Sequence, residues 1–92
     1  MIRTFSDKGL ENFFLSGTLK GIQPKHANRL ELLLERLNAA ADIKDMKFPG
    51  SKLHKLEPKQ KGVWSVYVAK NYSLTFKFEG GDAFEVQCLD YH

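Results

Sequence analysis

The residues best equipped for chemistry stand at two places in the chain: His54, inside the segment "KLHKL", and the closing run Asp90, Tyr91, His92. An acid, a phenol and an imidazole side by side, with a second imidazole in mid-chain, can orient, donate and accept protons near neutral pH. If "KLHKL" is a strand of a sheet, Lys52, His54 and Leu56 share one side, and His54 then points where Tyr67, Thr75, Lys77 and Tyr91 can also point. Lysines neutralise phosphates, aromatic rings stack on unpaired bases, and imidazole with phenol can move the proton of a 2′-hydroxyl, so the mixture suits RNA.

Each element also has a plain reading. An isolated histidine is more often a solvated surface group, and Lys77 and Tyr91 fit that description equally well. Trp64 alternates in phase with Val66 and Val68, the pattern of a core anchor. His26, at the start of a helix, carries no signal. His54, Asp90 and His92 amount to a two-histidine, one-carboxylate set, but no HxH or HExxH spacing supports a metal site, and neither metal nor cofactor is expected. Cys88 has apolar neighbours in phase and reads as a small core residue rather than a nucleophile. Gly80 and Gly81 read as a hairpin turn rather than a phosphate cradle.

The chain that must position these groups has 92 residues, enough for one domain over 1–92 with one small core. Eleven aromatics and an apolar fraction of 42% argue for a folded polymer. Fourteen Lys and Arg against eleven Asp and Glu leave a net charge of only +3. Its distribution says more, because Lys44, Lys47, Lys52, Lys55, Lys59 and Lys61 face only Asp45 and Glu57 between positions 44 and 61. That stretch is either a phosphate-binding surface or a solvated loop. A single cysteine excludes an intramolecular disulfide and a cysteine-based zinc site. With no signal-peptide pattern and no apolar run of roughly 18 residues, the expectation is a soluble cytoplasmic protein with no membrane role.

Periodicity divides the chain in two. "MIRTFS" is a strand candidate, and Asp7 or Ser6 caps a helix from about Lys8 to Ser16 that Gly17 ends. Pro24 opens a second helix whose stripe is Ala27, Leu30, Leu34, Leu37 and Ala41, widened by Leu33. From Lys52 the period becomes two: Trp64, Val66 and Val68, then Tyr72, Leu74, Phe76 and Phe78, mark half-buried strands. "AKNY" and "EGGD" are tight hairpin connections, with Asn71 able to take positive φ. A last strand from about Ala83 to Asp90 puts Phe84, Val86 and Cys88 on one face and Glu85, Gln87, Leu89 and Tyr91 on the other. The expected fold class is α+β, two N-terminal helices packed on one face of a small antiparallel sheet, with the opposite face open for function.

With "KLHKL", "GVWSVYV", "NYSLTFKF", "GDAF" and the closing "DYH" in view, the whole chain resembles the HigB-type toxins of the RelE superfamily of type II toxin–antitoxin systems. The resemblance implies a RelE-like, microbial-RNase-like fold and a ribosome-dependent endoribonuclease, an mRNA interferase that cleaves translated mRNA in the A site. It implies as partners the ribosome, mRNA and a HigA-like helix-turn-helix antitoxin. Carried over position by position, His54 matches the family's strand histidine, and Asp90, Tyr91 and His92 match its terminal catalytic group. On that resemblance His54 and His92 share the proton transfers, Asp90 orients or raises the pKa of an imidazole, Tyr91 positions a base or donates to phosphate, and Lys52, Lys55, Lys59, Lys61, Lys70 and Lys77 bind RNA phosphate. The α-carboxylate that His92 carries as last residue favours its imidazolium and the acid role.

One position departs from the family pattern. Where an arginine is usual in the strand after the first hairpin, "NYSLTF" has Ser73, and the nearby basic residue is displaced to Lys70. Lysine is a point charge without arginine's bidentate fork. The alternative is therefore a catalytically weakened homologue acting mainly as an antitoxin- or ribosome-binding protein. A topoisomerase poison on the same fold, independent of both histidines, is a third reading.

Overall fold

The computed structural model describes residues 1–56 and 61–90, so Lys59, Tyr91 and His92, singled out above, lie outside the described residues. Helix α1 spans Lys8–Ser16. Asp7 starts it, its carboxylate accepting the Leu10 backbone N–H at 3.2 Å, and Gly17 ends it at φ 76 with its N–H on the Phe13 carbonyl at 2.8 Å. Leu10 and Phe13 are thereby turned into the core.

Pro24 opens a 3-10 turn, Pro24–His26, that leads into α2, Ala27–Ala39. Leu30, Leu33, Leu34 and Leu37 are buried as their spacing predicts. The end of the stripe differs: Ala40 is buried and Ala41, expected on the stripe, is exposed. The Asp45 carboxylate accepts the N–H groups of Ala41 and Asp42 at 2.9 and 3.2 Å, and Asp42 caps a further turn, Ile43–Met46. Side-chain oxygens thus offer the backbone a local partner that competes with another turn of α2.

Four antiparallel strands follow in the order β1 (His54–Lys55), β2 (Val63–Ala69), β3 (Tyr72–Glu79) and β4 (Asp82–Asp90). Asn71 at φ 68, and Gly80 and Gly81 at φ 60 and 83, make the two expected hairpin turns. Val66, Leu74 and Cys88 stand opposite one another in the ladder and form the face that packs with the helices. Rows of the opposite face are His54, Ser65, Thr75 and Gln87, then Tyr67, Ser73 and Leu89, then Val63, Lys77 and Phe84. The α+β expectation, helices on one side of a small antiparallel sheet, matches this architecture.

Three expectations for the strands change. "KLHKL" shortens to two strand residues because Lys52 takes a left-handed φ of 49, which breaks the extended path. "MIRTFS" forms no regular strand but runs parallel beside β4, bridging Ile2 to Ala83 and Phe5 to Val86. Finally, β4 bulges: Glu85 sits at φ 53 and the register shifts, so Phe84 pairs with Lys77 on the open face instead of sharing the core face with Val86 and Cys88.

Candidate functional site

His54 is exposed on the edge strand, directly opposite Ser65. Its Nδ1 lies 2.9 Å from the Lys52 carbonyl. A carbonyl only accepts, so Nδ1 carries the proton in this bond, and the neutral imidazole keeps its lone pair on Nε2. The left-handed turn at Lys52 is what presents that carbonyl to a ring two residues on.

Small residues and taller ones alternate beside this imidazole. Ser65 and Thr75, in the middle strands, are each only 1% exposed although no helix covers their face. Tyr67, Gln87, Leu89 and Phe84 are half-buried around them. The Lys52 ammonium stands 4.5 Å from the Tyr67 ring centroid, so one cation and one ring already meet next to His54. Lys77 lies on the same face, with its Nζ 2.8 Å from the Glu85 carboxylate. Lys55 is on the other side of the sheet, 5.1 Å from the Trp64 ring, while Lys61 and Lys70 are exposed in the turns flanking β2.

Asp90 closes β4 and pairs with Tyr72. The alternation that puts Leu74 and Cys88 toward the helices puts Tyr72 and Asp90 on that same side. β1 and β4 are also the first and last of the four strands, roughly 14 Å apart across the intervening strands at the usual spacing. The described residues therefore bring His54 together with Lys52, Tyr67, Ser65 and Thr75, and not with Asp90. The phenol of Tyr72 accepts a hydrogen bond from the Gln23 amide, and its ladder partner is Asp90. Burial pushes the Tyr72 phenol up from its ordinary value, and the neighbouring Asp90 carboxylate pushes it further in the same direction. Burial, reinforced by Asp7 and Asp90, raises the Cys88 thiol to about 11, which keeps it protonated and poorly nucleophilic.

Two contributors had no clear sequence signal. Arg29, on the flank of the leucine stripe, donates to the carbonyls of Gly50 and Tyr67 and so ties α2 to the segment that leads to His54. His26, read as featureless, is 8% exposed with its ring 4.7 Å from that of Tyr72. Its neighbour Pro24 marks a helix start but says nothing of a strand end folding over it. Among the described residues no group of three His, Cys, Asp or Glu side chains converges as a metal site.

Comparison with known proteins adds kinship to this geometry. Residues 3–92 match the family model described as the RelE-like toxin of the type II toxin–antitoxin system HigB. The chain is 34% identical over 92 residues to the Endoribonuclease HigB of Proteus vulgaris, covering 100% of both. It is 31% identical over 80 residues to an uncharacterised protein of Haemophilus influenzae, covering 85% of this chain and 79% of that one.

Proposed function

The chain belongs to the HigB-like family of RelE-like toxins from type II toxin–antitoxin systems, and on that premise we propose that it is an endoribonuclease cleaving translated mRNA in the ribosomal A site by metal-free acid–base catalysis. What supports this reading most is His54, exposed on the uncovered face with Nε2 available and a lysine–tyrosine pair beside it. In-line cleavage needs a base for the 2′-hydroxyl, an acid for the leaving 5′-oxygen, and positive charge near the phosphorane-like transition state. His54 and His92 share the two proton transfers. Tyr91 positions a base or donates to phosphate. Asp90 ends the strand from which Tyr91 and His92 continue and orients the terminal group. Lys52, Lys55, Lys59, Lys61, Lys70 and Lys77 supply phosphate contacts, with Lys52 and Lys77 on the same face as His54.

A toxin of this family has an antitoxin as partner; we take it to be a HigA-like helix-turn-helix protein, with the ribosome and mRNA as the other partners and the cytoplasm as the site of action. Among the described residues no helix is long and apolar enough to cross a membrane. The test is expression in a translation extract with mapping of mRNA 5′ ends. Wild type should yield discrete new ends, while His54→Ala and His92→Ala should leave transcripts whole. Equal transcript integrity for all three proteins would remove the reading.

Ser73 favours a second reading. It lies on the open face between Tyr67 and Leu89, in a row that carries no guanidinium. A weakened nuclease that acts chiefly by binding antitoxin or ribosome would bind its antitoxin tightly yet cause no growth arrest.

A further inference from the structure

The end of β4 is held from the helix side by a chain of polar contacts that the reaction itself does not use. Gln23 sits just before the 3-10 turn that leads into α2, and that turn is fixed by the Ile22 N–H on the Leu19 carbonyl and the His26 N–H on the Gln23 carbonyl, each 2.9 Å. From there the Gln23 amide donates to the Tyr72 phenol oxygen, and Tyr72 stands directly opposite Asp90 in the β3–β4 ladder, on the same side of the sheet, with a phenol proton that a carboxylate can accept. The Tyr72 ring is seated on the buried His26 ring, 4.7 Å away and tilted by 52°. Asp90, at the end of β4, is joined through its ladder partner Tyr72 to Gln23 and the segment that leads into α2.

We propose that Gln23 and Tyr72 are positioning residues that latch Asp90, and with it the end of β4 that leads to Tyr91 and His92, against the start of α2. The proposal rests on the reading of the terminal residues as part of the nuclease site. Their geometry must hold to within a fraction of an ångström, since misplacement of about 1 Å can cost on the order of a hundredfold in rate. A strand end that frays would lose that precision without any change in which groups are present.

The test uses the full chain and two readouts. Tyr72→Phe keeps the ring on His26 and removes only the hydroxyl. By hydrogen exchange, the amides of Leu89 and Asp90 should exchange about tenfold faster in this variant, while those of Ala83 and Val86 stay as in wild type; unchanged exchange at Leu89 and Asp90 would overturn the latch. In the translation extract, kcat for mRNA cleavage should fall about tenfold with KM unchanged, and Tyr72→Phe should add little to the loss caused by Asp90→Asn. A Tyr72→Phe enzyme that cleaves at the wild-type rate while Asp90→Asn is impaired would also overturn it. If wild type fails to cleave, the nuclease reading fails instead, and the latch is then decided by the exchange data alone. Gln23→Glu, which retains length but offers no amide donor, should reproduce the exchange effect at Leu89 and Asp90, and its failure to do so would remove Gln23 from the latch.

Discussion

Arg29 donates to the Tyr67 carbonyl from two nitrogens, at 3.2 and 3.0 Å. The Tyr67 N–H goes to the Ser51 carbonyl at 2.7 Å, and the same guanidinium reaches the Gly50 carbonyl at 2.8 Å. Both backbone groups of Tyr67 are therefore committed, one to α2 and one to the segment that enters β1. The ring on which Lys52 rests is set by these bonds.

Removing that guanidinium leaves two carbonyls without their charged donor. Hydrogen bonds to charged groups are worth roughly 1.5–3 kcal/mol, so Arg29→Met should lower the unfolding free energy from urea titration by an amount of that order, seen as a lower midpoint. Arg29→Lys should recover less than half of the loss, because an ammonium lacks the planar fork. A midpoint for Arg29→Met equal to wild type would contradict the clamp.

The bond between His54 Nδ1 and the Lys52 carbonyl predicts that neutral His54 is protonated on Nδ1. Imidazole nitrogen chemical shifts measured above the titration range should report that tautomer, and a dominant Nε2–H form would count against the arrangement. His54→Ala should leave the thermal midpoint almost unchanged, since the side chain is exposed, while lowering cleavage by about 10²–10⁴.

Cys88 makes stability depend on pH in alkali. Its thiol is raised from an ordinary 9.0 to about 11 in the fold, mainly by burial. The unfolded chain therefore loses this proton first, so the thiol's contribution to stability is level below pH 9 and falls as pH rises toward 11. Tyr72, also raised, acts in the same direction at higher pH. Cys88→Ala should flatten the part of the decline between pH 9 and 11, and a decline of unchanged steepness in that variant would refute the assignment.

Ser73 pairs with both Tyr67 and Leu89, on the face that carries His54. Ser73→Arg should place a guanidinium there and raise cleavage in extract by about tenfold, as a bidentate donor to phosphate. No gain would show that another residue already supplies this charge or that the position does not reach the substrate.

Much of the local structure was legible from short-range rules. Asp7 and Gly17 delimit α1 because a carboxylate cap and a left-handed glycine act within one turn. Asn71 and Gly80-Gly81 mark their hairpins for similarly local reasons. The bulge at Glu85 carries no such mark: its left-handed φ is held by a glutamate, and its N–H is satisfied by the Thr4 hydroxyl from the other end of the chain at 2.8 Å. Arg29 and His26 were illegible for the same reason, since their partners lie on strands far along the chain.

By itself, the sequence determined which groups are available, a strand histidine, lysines, a terminal acid, and which kind of element carries each. Only the tertiary structure decided which side of the sheet each group faces. It set His54 among Lys52, Tyr67 and Ser65 on the bare side and sent Asp90 to Tyr72 on the helix side. The physical reason is that facing depends on register between strands, where one extra residue reverses every side chain beyond it, and register is settled by the packing of partners distant in the chain.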